Sequence, residues 1–336
     1  MPTAPSSIRA AVVGAGLMGR WHAHAIRHAG GQVVAIVDAD ARRGESLAQR
    51  IPGKPVVVGD VGYLFSEHPV DVVHVCTPVE SHEAVTVAAL SAGAHVLVEK
   101  PLAPECATVE LLHARAAQQG LLLCPVHQFL FQPGVLSASE WLRELGPVRH
   151  FELVACSAGT DQGSVEQREQ VARDILPHGL ALARRLLGTG WLESGWYIAP
   201  GESGELRAST AFGSTSISIM VSMRARPTEN TLTIRCDRGT IRANLYHGYA
   251  SLERGHVSRL DKLARPFAGA ALVLGAASSN LARRALRAES AYPGLRELVT
   301  RFYRATRGAC EPPIGAAESI DVARARDRLV GARVVV

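Results

Sequence analysis

The sequence predicts an α/β chain in two unlike parts: a doubly wound parallel sheet over residues 1–125, then an α+β region over 126–336 with a large, mostly antiparallel open sheet. Three observations carry this. Up to about residue 124, short β-branched runs alternate with helical patterns in a regular beat. Beyond it, strand-like runs follow one another directly. The length, 336 residues, fits about two domains at roughly 100–200 residues each.

In the first part, strands are expected at 8–13, 33–37, 56–58, 70–75, 95–98 and 121–124. Several are apolar on consecutive residues, as strands covered on both faces of a parallel sheet are. Helical patterns fill 17–28, 41–50, 81–92 and 104–119. The second part begins with a helical stretch at 132–145 and a strand at 148–156, then a polar loop at 157–167 and a helix ending near Gly188. Strand-like runs follow at 191–198, 206–211, 216–223, 231–236, 240–245 and 249–252, and helical patterns continue from about Arg259. Residues 216–223 alternate polar and apolar, the mark of a sheet with one open face. The apolar, arginine-flanked segment 265–287 reads as a dimer surface, a lid or core.

Composition excludes several classes. Apolar residues make up 47% of the chain, and 31 glycines with 18 prolines stay below the roughly 25–30% of low-complexity chains, so disorder is excluded. No apolar run approaches the ~18 residues of a spanning helix, and the N-terminus lacks a secretory pattern, so a cytoplasmic protein is expected. Six cysteines without a C-x-x-C pair indicate neither a metal site nor a disulfide framework. The net charge of +5 is spread along the chain with no basic run, which argues against nucleic acid as a partner. Only three of 36 basic residues are lysines: Lys54, Lys100 and Lys262.

The first chemical motif is G-A-G-L-M-G, with Gly14, Leu17, Met18 and Gly19 around Gly16, directly after the first strand and opening the first helix. Gly14 allows a tight turn, Gly16 a close backbone approach to a pyrophosphate at the helix N-terminus, and Gly19 close helix–strand packing. Asp38, at the end of the second strand, suits the ribose hydroxyls of NAD and would repel the 2′-phosphate of NADP. Arg42 and Arg43 just behind it are the only hint of NADP.

Beyond the glycines stand V-C-T-P (with Thr77 and Pro78), His82, E-K-P-L (Glu99, Lys100, Pro101) and D-x-x-x-H (Asp174 to His178). Together these resemble the glucose-fructose oxidoreductase and inositol dehydrogenase family, Gfo/Idh/MocA. The resemblance implies an N-terminal Rossmann domain binding NAD or NADP, and a dehydrogenase of sugars, sugar nucleotides or cyclitols. It also implies a C-terminal sheet that serves in a homodimer or homotetramer.

The residues themselves suit that chemistry. Oxidising a carbinol needs a base and a donor that stabilises charge on oxygen. The resemblance implies that Lys100 contacts the reacting oxygen, that the Lys100–Pro101 peptide is cis, and that His82 with Thr77, Pro78 and Glu99 borders the cofactor. Asp174 and His178, four apart, share a helix face. Pro177 between them is tolerable if the helix has just begun; His178 would then sit near its positive end, with a lowered pKa suited to a base. The plainer alternatives are a helix N-cap for Asp174 and a half-buried helix histidine for His178. His127 and Gln128 follow the sixth strand and are candidates to reach substrate. Two departures stand out: Leu176 replaces the glycine of the family's D-x-G-x-H, and Phe129, Leu130 and Phe131 stand where relatives carry an arginine. Both point to a less polar pocket and a substituted sugar. Two other functions share these motifs, NAD-dependent redox-neutral glycoside cleavage and a non-catalytic NAD-binding sensor.

Overall fold

The computed structural model describes residues 7–157, 163–199, 202–255 and 259–331. The chain divides into two compact units, one comprising the residues up to His127 with Leu295–Arg324, the other Gln128–Gly294 with the residues from Ala325.

The first unit alternates β1 (Ile8–Val13), α1 (Leu17–His28), β2 (Gly31–Val37), α2 (Ala41–Ala48), β3 (Val56–Val58), α3 (Val61–Glu67), β4 (Val72–Val75), α4 (His82–Ser91), β5 (His95–Val98), α5 (Cys106–Gln118) and β6 (Leu123–Pro125). All six strands run parallel in the order β3-β2-β1-β4-β5-β6. Their consecutive valines, alanines and isoleucines are buried on both faces, which is why these strands lack an alternating pattern. The order reverses between β1 and β4, and ligands of such sheets bind in the crevice beyond the carboxyl ends there.

In the second unit, α6 (Pro133–Trp141) and β7 (Val148–Cys156) lead to α7 (Val165–Leu187). Then come β8 (Tyr197–Ala199), β9 (Glu205–Phe212), β10 (Thr215–Ser222), β11 (Glu229–Cys236), β12 (Gly239–Asn244), β13 (Tyr249–Arg254) and α8 (Arg259–Leu286). The seven strands lie in the order β13-β12-β11-β7-β10-β9-β8, antiparallel except where β10 meets β7. Ile217, Ile219 and Val221 alternate inward, against the face that α7 covers. The opposite face carries Ser216, Ser218, Thr231, Thr233 and an Arg235–Glu152 ion pair at 3.0 Å.

Four expectations need correction. First, α9 (Leu295–Thr306) and the start of α10 (Ala316–Gly331) belong to the first unit, so the second does not run unbroken from 126 onwards. Tyr303 of α9 is buried against α1 and Gly31, where an added Cβ would lie 2.7 Å from its ring, and this packing outweighs the distance in sequence. Second, of the strand expected at 191–198 only Tyr197 and Ile198 lie in one, within β8. Trp191 is instead buried as a core plug edge-to-face with Trp196, so its aromatic character serves packing rather than a ladder. Third, α3 was not foreseen; Asp60 caps it by accepting from the Tyr63 N–H. Fourth, segment 265–287 is not core: Phe267, Leu274, Leu281 and Leu286 are 68–89% exposed. The polar loop expected at 157–167 lies partly outside the described residues.

Candidate active site

The glycine turn is built by backbone crowding. Gly14 has φ +98°, and a Cβ on it would meet the Cys76 carbonyl oxygen at 2.7 Å, so only glycine fits between the ends of β1 and β4. A Cβ on Gly19 would lie 1.9 Å from the Gly14 carbonyl oxygen. Gly16 is the opposite case: a Cβ there meets nothing within 4 Å. Gly16 is also the N-cap of α1, with no side-chain cap and no acidic residue in the first turn. Open space thus faces a helix N-terminus whose first N–H groups lack a side-chain acceptor, a cradle that fits a pyrophosphate. Leu17 is 60% exposed beside it and Met18 half-buried.

Asp38 has a role that the sequence did not reveal. Its carboxylate accepts the Ala15 N–H at 2.7 Å and the Asp40 N–H at 2.9 Å, bracing the glycine turn from β2. Each oxygen keeps a lone pair for a ribose hydroxyl. Arg43 pairs with Asp40 at 3.5 Å and Arg42 is exposed.

Thr77, Pro78 and His82 follow β4, and Glu99, Lys100 and Pro101 follow β5. The His82 ring is buried, with Nε2 2.8 Å from the Thr77 carbonyl oxygen and Nδ1 2.9 Å from that of Pro101. Each ring nitrogen faces a carbonyl oxygen of one turn, so His82 is wedged between the two turns. Thr77 accepts from the Ser81 hydroxyl at 2.7 Å. The Lys100–Pro101 peptide is cis, and Lys100 is half-buried.

Glu99 is likewise turned inward, contrary to the expectation that it borders the cofactor. Its Oε1 is 3.0 Å from His22 Nε2, and its Oε2 accepts the Lys100 N–H at 3.2 Å. His22 Nδ1 lies 2.8 Å from His74 Nδ1, and His74 Nε2 lies 2.9 Å from the Tyr303 hydroxyl. All four side chains are buried. Burial, with His22 adjacent, pushes the His74 pKa well below its ordinary value. Burial and the Glu99 charge push the Cys76 thiol well above its own. Sequence reasoning missed His22, His74 and Tyr303. A histidine inside the otherwise apolar strand V-V-H-V was the available signal.

In the second unit, α7 overturns the expected helix start. Ser164 caps it, accepting from the Gln167 N–H while the Gln167 side chain accepts from the Ser164 N–H. Pro177 is therefore interior to a 23-residue helix, and His178 stands far from its positive end. The helix dipole acts within the first turn, and His178 lies beyond its reach. Proline is accommodated because tertiary packing overrides the lost helical bond: Leu176, Pro177, Gly179 and Leu180 are all buried, and a Cβ on Gly179 would lie 2.5 Å from Leu153 Cδ2.

Asp174 is not an N-cap; it is half-exposed and accepts from Gln170 Nε2 at 2.9 Å. His178, one turn on, is buried with its ring stacked on Phe129 at 4.4 Å between centroids. Phe129 lies in the 3₁₀ turn Gln128–Phe131. Leu130 and Phe131 are core residues, so of that apolar run only Phe129 faces His178, and Leu176 is core as well. Gln128 is buried with no partner for Oε1, and His127, in the first unit, is buried.

Comparison with known proteins agrees with the first unit. Residues 8–127 match GFO_IDH_MocA, the oxidoreductase family with an NAD-binding Rossmann fold. Inositol 2-dehydrogenase 1 of Saccharopolyspora erythraea is 37% identical over 116 residues, 34% of each chain. The dTDP-3,4-didehydro-2,6-dideoxy-alpha-D-glucose 3-reductase of Actinomadura kijaniata is 32% identical over 149 residues, 43% of this chain and 44% of the reductase. The chain thus matches about a third to two fifths of the length of these relatives. Over nearly its whole length it shares the fold of UDP-N-acetylglucosamine 3-dehydrogenase from Acidithiobacillus ferrooxidans, with a TM-score of 0.74 at 19% identity, covering 96% of this chain and 97% of that one. No helix among the described residues is long and apolar enough to cross a membrane.

Proposed function

We propose that the protein is an NAD-dependent oxidoreductase that transfers a hydride between the nicotinamide and a secondary alcohol or ketone of a sugar, a sugar derivative or a cyclitol. The observation that carries this is the shared sheet edge. The open cradle at Gly16 and the E-K-P turn with Lys100 both lie at the carboxyl ends of the parallel strands, on either side of the order reversal.

The bound nicotinamide supplies the hydride acceptor or donor. The residues of this chain do the rest. Gly14, Gly16 and Gly19 admit the pyrophosphate, and Asp38 receives the ribose hydroxyls, which favours NAD over NADP. Lys100 holds charge on the reacting oxygen through its ammonium group. His178 takes the hydroxyl proton, and Asp174 and Gln128 are further substrate contacts. Phe129 stacked on His178 favours a substrate with an apolar or planar substituent beside its hydroxyls. The printed activities of the relatives, an inositol dehydrogenase and nucleotide-sugar enzymes, support this substrate class. The half-buried polar face of the seven-stranded sheet suits a homodimer or homotetramer.

Calorimetric titration with NAD⁺ and NADP⁺, followed by a screen of cyclitols and UDP- and dTDP-sugars for NAD reduction, tests the proposal. The expected result is tighter NAD⁺ binding and turnover that Lys100→Ala abolishes. Turnover that persists in Lys100→Ala, or tighter NADP⁺ binding, would refute the corresponding assignment.

A further inference from the structure

The buried run Tyr303–His74–His22–Glu99 serves no packing need that apolar residues would not meet better, since each of its members loses water on folding. Its geometry is directional. A carboxylate only accepts, so His22 Nε2–H donates to Glu99 and the Lys100 N–H donates to the other oxygen. His22 Nδ1 and His74 Nδ1 face each other at 2.8 Å, so one of them carries the proton. If His74 donates, its Nε2 must accept from the Tyr303 hydroxyl; if His22 carries a second proton, the upper bonds reverse and His74 donates to Tyr303. Both arrangements leave His22 Nε2–H on Glu99. The nitrogens lie at hydrogen-bond distance from one another instead of converging on a common point, which is the arrangement of a chain and not of a metal site.

The members come from four different elements. His22 lies on α1, the helix that begins at the glycine turn; His74 is in β4, Glu99 follows β5, and Tyr303 is on α9. We propose that His22 is a positioning residue that ties the dinucleotide helix to the main chain of Lys100 through Glu99, with His74 and Tyr303 fixing the orientation of its ring. This deepens the proposed function, because it rests on Lys100 being the group that meets the reacting oxygen.

The test exploits the scarcity of lysine. Reductive methylation with ¹³C-formaldehyde labels Lys54, Lys100 and Lys262, and Lys→Arg variants assign the three signals. In His22→Leu, which removes the donor to Glu99, the Lys100 signal should shift while those of Lys54 and Lys262 stay unmoved. In His22→Gln, which keeps an N–H, the Lys100 signal should return toward its wild-type position, a rescue that loss of packing alone would not give. Tyr303→Phe keeps the ring against Gly31 and removes only the hydroxyl. It covers the case of a His22→Leu variant that does not fold, and should change the ¹⁵N ring signals of both His74 and His22. An unmoved Lys100 in a folded His22→Leu variant, or unchanged histidine signals in Tyr303→Phe, would overturn the proposal. None of these readings needs a substrate. A protein that shows this pattern yet oxidises no alcohol would refute the proposed activity and leave the chain standing, and turnover without the pattern would do the reverse.

Discussion

Alanine at Gly19 and alanine at Gly16 should have opposite effects, although the two positions lie three residues apart. At Gly19 the new Cβ would be 1.9 Å from the Gly14 carbonyl oxygen and 3.3 Å from Val12 Cγ1, where real Cβ contacts do not fall below 3.0 Å. The helix must lift from β1 by about 1 Å, and overpacking of this kind costs about 1–3 kcal/mol. Alanine would ordinarily stabilise a helix position by up to about 1 kcal/mol over glycine, so a measured loss means that the clash outweighs that gain. The melting transition of the first unit should fall by about 2–12 °C. At Gly16 the backbone is already extended (φ −71°, ψ −160°) and the Cβ meets no protein atom, so the melting temperature should change by less than about 1–2 °C. The same methyl group would occupy the space assigned to the pyrophosphate, and NAD⁺ affinity should drop tenfold or more, about 1.4 kcal/mol. Scanning calorimetry and a cofactor titration on both variants give four numbers. A Gly19→Ala protein that melts like wild type would refute the crowding argument, and unchanged NAD⁺ affinity in Gly16→Ala would refute the placement of the pyrophosphate.

His113 of α5 is buried with Nε2 unpartnered, and burial lowers its pKa to about 4. Between pH 6.5 and 4 the unfolded chain binds this proton and the folded chain does not, so stability falls with pH across that window and levels off below it. His113→Leu should remove roughly 2–3 kcal/mol of that acid-side loss, read by denaturant melts at pH 7 and pH 4.5, and parallel pH curves would refute it. Burial raises the Asp71 pKa, but the Arg9 hydrogen bond at 2.8 Å outweighs it and holds the carboxyl below its usual range. The contribution is therefore present above an ordinary aspartate pKa and fades as pH falls through the folded one. The pair is partly exposed, so Asp71→Asn should cost only about 0.2–1 kcal/mol at pH 7 and nothing near pH 2. Lys100→Ala should slow turnover by about 10²–10³ while NAD⁺ affinity, read by calorimetry, stays within twofold.

The six parallel strands were legible because all are short and five are rich in β-branched residues, and all six lie within a few residues of where the pattern put them. The glycine turn was legible for the same local reason. What escaped was set by distant contacts. Nothing near Tyr303 in sequence says that α9 returns to the first unit, because the reason is a ring packed against Gly31. The expected start of α7 failed because Pro177 was treated as a helix boundary, when the capping pair Ser164 and Gln167 was readable and a buried interior can hold a proline. Glu99 was assigned to the cofactor on resemblance; its true partner, His22, sits 77 residues away and shows only in three dimensions.

The return of α9 has a consequence for synthesis. The parallel sheet is complete once Pro125 has been made, yet the helix that covers Gly31 and bonds to His74 begins only at Leu295. At a ribosomal rate of about 5–20 residues per second, the finished sheet waits about 10–30 s for its last helix. During that interval the α1 surface that Tyr303 will cover is bare and His74 has no hydroxyl partner. A nascent chain arrested before residue 295 should accordingly be held by chaperones and cut readily by protease, whereas one arrested well beyond residue 306 should protect β1, β2 and β4 together.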